Sequence, residues 1–365
     1  MLFIINKDIL VENLLKVLGP STTKQNFPLL SSVLITATKD NLKFTTTDLD
    51  VSIISLQPNK VLETGQIAIP MKKILSIIRE LPPQEITIEK TKNNLLVKCE
   101  NIEFKLGVLN PEEFPQIQEK GGVSLIKLDP QELGEMIKLT AFCVGHEDSN
   151  YVLGGILFEI EENKIKLIST DGKRLSFVWR KLPPKQPELT SKICFILPAK
   201  AVSELHKLIK ETKEEVYLSV EENRVSFDFK NTYFIARPIE GEFPNYSQYI
   251  PKEGKDKLRV DREKLLFAFK RANLLSTSDY QGVKLELKKD NLTIYKNTPQ
   301  LGEVKEVVAA TYSGGHLEIG FNPNYLIDAL KNLEDEEVCI DFFGADKPAV
   351  LRKERYIYLI LPMKP

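Results

Sequence analysis

A strand that runs into a proline and on into a helix occurs three times in this chain at nearly equal spacing. It reads GQIAIPMKKILSIIREL at 65–81, KICFILPAKAVSELHKLI at 192–209 and LEIGFNPNYLIDALKNL at 317–333. The three prolines, Pro70, Pro198 and Pro323, stand 128 and 125 residues apart. Proline suits a helix start, because its fixed φ is already helical and no backbone hydrogen bond is lost there. Recurrence at a fixed period constrains the fold strongly, since every copy must be satisfied by the same packing.

Other landmarks keep the period. Each copy opens on an amphipathic helix, at 8–19, 130–142 and 261–275, followed by alternating strands such as LLSSVLITA, YVLGGILFEI and YQGVKLELK. Each closes with further strands after its second helix. Only two segments per copy have helical period, and period-two alternation dominates the rest. The 365 residues therefore read as three α+β domains, 1–121, 122–252 and 253–365, joined at the polar stretches 119–122 and 251–257. Four scattered cysteines without CxxC spacing argue against a zinc site or a disulfide framework. MLFIINKDIL lacks the pattern of a signal peptide, and no apolar run reaches membrane-spanning length, so a reduced cytoplasmic location is expected.

The six helices share one design. Their apolar positions i, i+3, i+4 and i+7 are Val11, Leu14, Leu15, Leu18; Ile74, Ile77, Ile78, Leu81; and Leu133, Met136, Ile137, Thr140. The later three give Val202, Leu205, His206, Ile209; Leu265, Ala268, Phe269, Ala272; and Leu326, Ala329, Leu330, Leu333. Position i+5 lies opposite that stripe. It is basic in all six: Lys16, Arg79, Lys138, Lys207, Lys270 and Lys331, with Lys72 and Lys200 adding charge at i−2. Outward cations without base-reading partners suit contact with a phosphate backbone. The total of 50 Lys+Arg against 51 Asp+Glu excludes a polycationic tail, but not a basic face with its acids elsewhere.

Signs of catalysis are thin. No phosphate loop, dinucleotide fingerprint, HExxH or GxSxG occurs. His206 falls on an apolar stripe and reads as a core residue. Asp48, Asp50 and Asp171 invite a two-metal nuclease or phosphatase, yet the third copy has NTP in their place and no other acids complete a ligand set. An Asp at a strand end more simply bonds its own backbone. Two surfaces stand out instead: STDGKRLSF at 169–177 and the apolar end YIYLILPMKP.

Taken together, FPLLSSVLI, TTTDLDVSI, NPEEFP, YVLGGILFE, STDGKRLS, EGEFPNY, TYSGG and LPMKP resemble the bacterial sliding clamps, the DNA polymerase III beta subunits, over essentially the whole chain. The resemblance implies three repeated domains of the DNA-clamp fold and a head-to-tail homodimer closed into a ring. Duplex DNA passes through the ring, which tethers a polymerase without catalysis, metal or cofactor. Matching positions add Lys24, Lys72, Lys73, Arg79, Lys200 and Tyr151 as DNA contacts, beside the helix cations Lys138, Lys207, Lys270 and Lys331.

The resemblance also implies a cleft for short linear peptides of polymerases, the clamp loader and repair proteins. Its walls would be Leu153, Thr170, Gly172, Lys173, Arg174, Leu175, Pro244, Tyr249, Pro348, Leu359, Ile360, Leu361, Pro362 and Met363. There an apolar pocket would anchor Leu or Phe, and Arg174 would orient the peptide backbone. Ring closure would pair Phe104 and Leu106 with Leu274 and Leu275. The rivals are the metal-dependent nuclease or phosphatase and a repeat scaffold that binds only proteins.

Overall fold

The computed structural model describes residues 1–22, 27–92, 94–117, 125–145, 150–184, 186 and 191–364. Lys24 and the whole of the first joint at 119–122 lie outside the described residues.

The repeat is visible in the order of elements. The first copy runs β1 (Leu2–Asn6), α1 (Lys7–Lys16) and the single turn α2 (Leu18–Ser21). It continues as β2 (Ser32–Ala37), β3 (Asn41–Thr47), β4 (Val51–Pro58), β5 (Val61–Glu63) and β6 (Gly65–Pro70). It ends on α3 (Met71–Glu80), β7 (Glu85–Lys90), β8 (Asn94–Cys99) and β9 (Ile102–Gly107). The second copy has β10 (Ile126–Leu128), α4 (Pro130–Thr140), β11 (Gly155–Glu161), β12 (Lys164–Thr170), β13 (Arg174–Lys181) and β14 (Ile193–Pro198). Then come α5 (Ala199–Glu211), β15 (Val216–Glu221), β16 (Arg224–Asp228) and β17 (Thr232–Ala236). The third has β18 (Asp256–Asp261), α6 (Arg262–Asn273), β19 (Val283–Lys288), β20 (Asn291–Thr298), β21 (Gly302–Tyr312) and β22 (Leu317–Phe321). It closes with α7 (Pro323–Asn332), β23 (Glu337–Phe342), β24 (Ala349–Lys353) and β25 (Tyr356–Ile360).

Two compact units emerge, and both cut through the second repeat. One comprises Met1–Gln131, Pro183–Glu188 and Ser203–Pro238, the other Glu132–Leu182, Leu189–Val202 and Ile239–Pro365. The first holds a five-stranded sheet, β5-β1-β7-β8-β9, and an eight-stranded one, β10-β15-β16-β17-β4-β3-β2-β6. The second holds a twelve-stranded sheet, β14-β11-β12-β13-β25-β24-β23-β18-β21-β20-β19-β22. In each unit the last strand of one repeat continues the sheet of the preceding one: β17 pairs with β4, and β25 with β13. Phe3, Phe44, Phe227 and Phe234 fill the first unit, and Phe158, Phe269, Tyr356 and Tyr358 the second. Burying side chains of this size stabilises by roughly 2 kcal/mol each. Among the described residues no helix is long and apolar enough to cross a membrane.

Helix starts follow capping chemistry. The side chains of Asn6, Asp261 and Asn322 accept from the backbone N–H groups of Asp8, Lys264 and Asn324. Pro323 is the first residue of α7, whereas Pro70 and Pro198 end the strands before α3 and α5.

The stripes of α4, α6 and α7 are buried as the spacing predicts. That of α1 is rotated by one residue: Leu10, Asn13, Leu14 and Val17 are buried, while Leu15 is 40% exposed. Asn13 turns inward because its amide is fully used. Nδ2 donates to the Ile9 carbonyl and to Gln57, and Oδ1 accepts from Ser55 Oγ at 2.7 Å. On α3, Met71 and Leu75 join Ile74 and Ile78, leaving Ile77 half-buried. On α5, Leu208 takes the inner place and His206 is half-buried, not a core residue.

Candidate functional site

The turn between β12 and β13 is built by its own side chains. Asp171 Oδ1 accepts from the N–H groups of Lys173 and Arg174, and Thr170 Oγ1 accepts from Gly172 N–H. Gly172 has φ +84°, a conformation that costs a residue with a side chain. The Lys173 carbonyl then accepts the Leu361 N–H at 2.9 Å, tying the tail beyond β25 to the turn.

Beside this turn lies an apolar cavity of about 280 Å³. Leu153, Thr170, Gly172, Lys173, Arg174, Leu175, Pro244, Tyr249, Leu359 and Leu361 line it, as the sequence suggested. Phe243 and Tyr246 line it too and were missed, although both sit in the EGEFPNY string. Two buried clusters meet below the cavity, one with Leu153, Leu157 and Ile168, the other with Leu175, Val350 and Leu359. Phe177 and Tyr246 pack against both, their rings 5.8 Å apart. Glu159, 6% exposed, accepts from Tyr246 Oη at 2.7 Å and from Lys192 at 2.5 Å. Burial and then this carboxylate push the Tyr246 phenol well above its ordinary range, so it stays a donor.

Four expected wall residues do not line this cavity. Ile360 is 2% exposed and faces the other side of the sheet, because alternation lets only Leu359 and Leu361 face the cavity. Pro362 and Met363 line a second cavity of about 500 Å³ with Gly320, Lys284 and Glu318, drawn there by the Met363 N–H on the Gly320 carbonyl. Pro348 is half-buried and lines neither. Arg174 also differs from expectation, since its guanidinium is spent inside the fold. It bonds Asp171 at 2.9 Å, Asp328 at 2.8 Å and the Phe142 carbonyl at 2.8 Å. Burial opposes this charge, but Tyr358 and Asp328 outweigh it and raise the pKa.

The basic positions divide. Lys72, Lys73, Arg79, Lys207 and Lys331 are exposed, while Lys16, Lys138, Lys200 and Lys270 are half-buried. Glu12, Glu334 and Glu204 pair with Lys16, Lys138 and Lys207 at 2.6, 2.8 and 2.8 Å, so acids do share these faces. Lys270 Nζ lies 4.9 Å from the centre of the Phe267 ring. Among the described residues no carboxylate pairs with Lys72, Lys73, Arg79 or Lys331. Tyr151 is 62% exposed at the start of a single 3-10 turn.

Among the open strand edges of the described residues, two belong to the strands that ring closure would use. β9, carrying half-buried Phe104 and Leu106, is the outermost strand of its sheet. β21 pairs with β20 along Gly302–Ala309 but meets β18 only at Ala310–Tyr312, so its first eight residues have one unpaired side. Leu274, 81% exposed, and Leu275 follow α6, which Arg271 ties to Glu306 on β21.

The acids Asp48 and Asp171 are turn formers. Asp48 is fully buried, and its Oδ1 accepts from the N–H groups of Asp50 and Val51. The described group close enough to share an ion is Glu286, His316 and Glu318, and Lys288 and Lys284 already hold its carboxylates at 2.7 and 2.8 Å. Among the described residues, no acidic cluster favours a metal nuclease.

Comparison with known proteins agrees along the whole length. Models of the DNA polymerase III beta subunit match as N-terminal domain at 1–118, central domain at 127–245 and C-terminal domain at 247–364. A beta sliding clamp of Pseudomonas putida is 32% identical over 368 residues, covering 99% of each chain. The crystal structure of a DNA polymerase sliding clamp from Pseudomonas aeruginosa superposes with a TM-score of 0.93 at 30% identity, covering 100% of both chains. That from Bacillus subtilis gives 0.93 at 29% identity, covering 100% of this chain and 99% of the other. With every domain of the repeat matched in order, the chain belongs to the DNA polymerase III beta subunit family, the DNA sliding clamps.

Proposed function

We propose that this sliding clamp works as two copies joined head to tail around duplex DNA, holding a polymerase there as a processivity factor without catalysing a reaction itself. The observation that carries the reading is the unmatched edge. β4 gives its outer edge to β17 and β13 gives its own to β25. β21 is the corresponding strand of the third repeat, and the first repeat's closing strand is β9. Pairing β21 with β9 of a second copy completes the series and covers both edges.

The register follows from the repeats. Ser169 and Thr298 bond carbonyls at the ends of the preceding helices, which aligns Ser176 with Gly302 and Val178 with Val304. Tyr356 and Ile102 both follow two-residue hairpin loops. Val178 opposite Tyr356 therefore becomes Val304 opposite Ile102, and Ser176 opposite Tyr358 becomes Gly302 opposite Phe104. Phe104 and Leu106 then reach Leu274 and Leu275. A cysteine pair at Ile102 and Val304 should crosslink into a covalent dimer; monomer alone after oxidation would count against this joint.

Lys72, Lys73, Arg79, Lys200 and Lys331 supply loose, sequence-independent phosphate contact, and Lys24, Lys138, Tyr151, Lys207 and Lys270 are assigned to the same role. The cavity at Leu175 and Leu361 takes an apolar anchor from short motifs of polymerases, the clamp loader and repair proteins. The domains divide at 121/122 and 252/253, and the protein acts in the cytoplasm. Loaded protein should stay on nicked circular DNA and slide off linear DNA; equal loss from both would sink topological tethering. Charge reversal at Lys72, Arg79 and Lys200 together should impair DNA-dependent function with the dimer intact, whereas a protein-only scaffold would not respond.

A further inference from the structure

The β12–β13 turn that walls the cavity is held by a group 154 residues further along the chain. Arg174 is 9% exposed and has each nitrogen of its guanidinium engaged. Nε and Nη2 stay close to home, on Asp171 and the Phe142 carbonyl, but Nη1 reaches Asp328 Oδ2 on α7 at 2.8 Å. The guanidinium lies 4.4 Å from the centre of the Tyr325 ring, one helical turn before Asp328. Asp171, which Arg174 grips, also holds the Lys173 and Arg174 N–H groups, and the Lys173 carbonyl holds Leu361. Helix, guanidinium, turn and tail thus form one connected set of hydrogen bonds.

We infer that Asp328 is a positioning residue for the cavity, holding Arg174 against α7 and through it the turn at Gly172 and the wall at Leu361. Arg174 itself borders the cavity. A buried guanidinium deprived of one carboxylate moves toward water, and here that means into space an occupant needs. The corresponding joint of the first unit supports the assignment. Counted from the prolines, Ser203 stands where α7 has Asp328; counted from the turn aspartates Asp48 and Asp171, Val51 stands where β13 has Arg174. Cation and anion are replaced together.

This inference rests on the cavity being a peptide site, so its test has one arm that needs no peptide. Full-length Asp328→Ala and Asp328→Glu are compared with the parent chain. A fluorescein-labelled hexapeptide ending in Leu-Phe is titrated by anisotropy, and amide hydrogen exchange is followed without peptide. Asp328→Ala should weaken the peptide at least tenfold and speed exchange at the Arg174 and Leu361 amides at least tenfold, with Asp328→Glu recovering most of both. Asp328→Asn, equal in shape and uncharged, serves if the alanine variant folds poorly. Lower thermal stability with unchanged exchange at those amides and unchanged affinity would overturn the inference. A parent chain that ignores the hexapeptide defeats the peptide reading alone, and exchange still decides whether Asp328 fixes the turn.

Discussion

The joints β4·β17 and β13·β25 share a backbone and differ in what they display. In the first, Thr47 Oγ1 takes the Leu49 N–H, Asp48 Oδ1 takes those of Asp50 and Val51, and the Asp50 carbonyl accepts the Arg237 N–H at 2.9 Å. In the second, Thr170, Asp171 and Lys173 do the same, with Leu361 in the place of Arg237. The left-handed residue is Leu49 at φ +81° in one and Gly172 at +84° in the other. Yet Leu49, Asp50, Val51, Ser52 and Arg237 in the first face Gly172, Lys173, Arg174, Leu175 and Leu361 in the second. The turn is therefore a part of the repeat itself. The cavity is a matter of side chains laid upon it.

Exchanging those side chains tests the distinction. The largest effect is expected from ending the chain after Ile360. Loss of Leu361 should abolish hexapeptide binding, leaving a dimer by sedimentation; unchanged affinity would break the contrast. Leu175→Ser, which copies Ser52, removes a side chain only 5% exposed and should cost about 3 kcal/mol in urea unfolding, with peptide binding weakened as well. Gly172→Leu copies Leu49. Nothing lies within 4 Å of the added Cβ, so the penalty is the backbone conformation, about 1 kcal/mol, plus a narrowed mouth seen as a raised Kd.

The smallest effect concerns the open strand. A hydrogen bond from Arg271 holds the Glu306 carboxyl below its ordinary 4.5. The folded chain then binds this proton less readily than the unfolded one. The stabilisation is complete above the unfolded value and is lost as pH falls through the folded one. Urea midpoints on acidification should show a loss on the order of 0.3 kcal/mol, absent in Glu306→Gln.

The repeats made the order of strands and helices legible, because three copies correct each other's ambiguities. Phase was less legible where a polar residue is buried: Asn13 looks outward by pattern and is inward because Ser55 and Gln57 satisfy it. The cavity was legible in STDGKRLS and in the apolar string at the end of the chain, less so in EGEFPNY, where Pro244 stood out and Phe243 and Tyr246 did not. Ile360 could have been set aside by alternation alone. Asp328 could not have been found that way, since nothing near it in the chain marks it as the partner of Arg174. Glu12 and Glu204, three or four residues from the lysines they neutralise, were visible in the sequence as well.

The joints also set an order of events during synthesis. The rung from Ser55 to Thr232, like that from Arg174 to Ile360, links residues far apart in the chain, and such long-range pairing forms late. As the chain leaves the ribosome, the edge of β4 waits for the end of the second repeat, and that of β13 for the last strand of the third. The edge of β21 finds no partner strand among the described residues of its own chain. On the head-to-tail reading, its partner comes from another molecule, so the final step of folding is bimolecular and its completion depends on protein concentration.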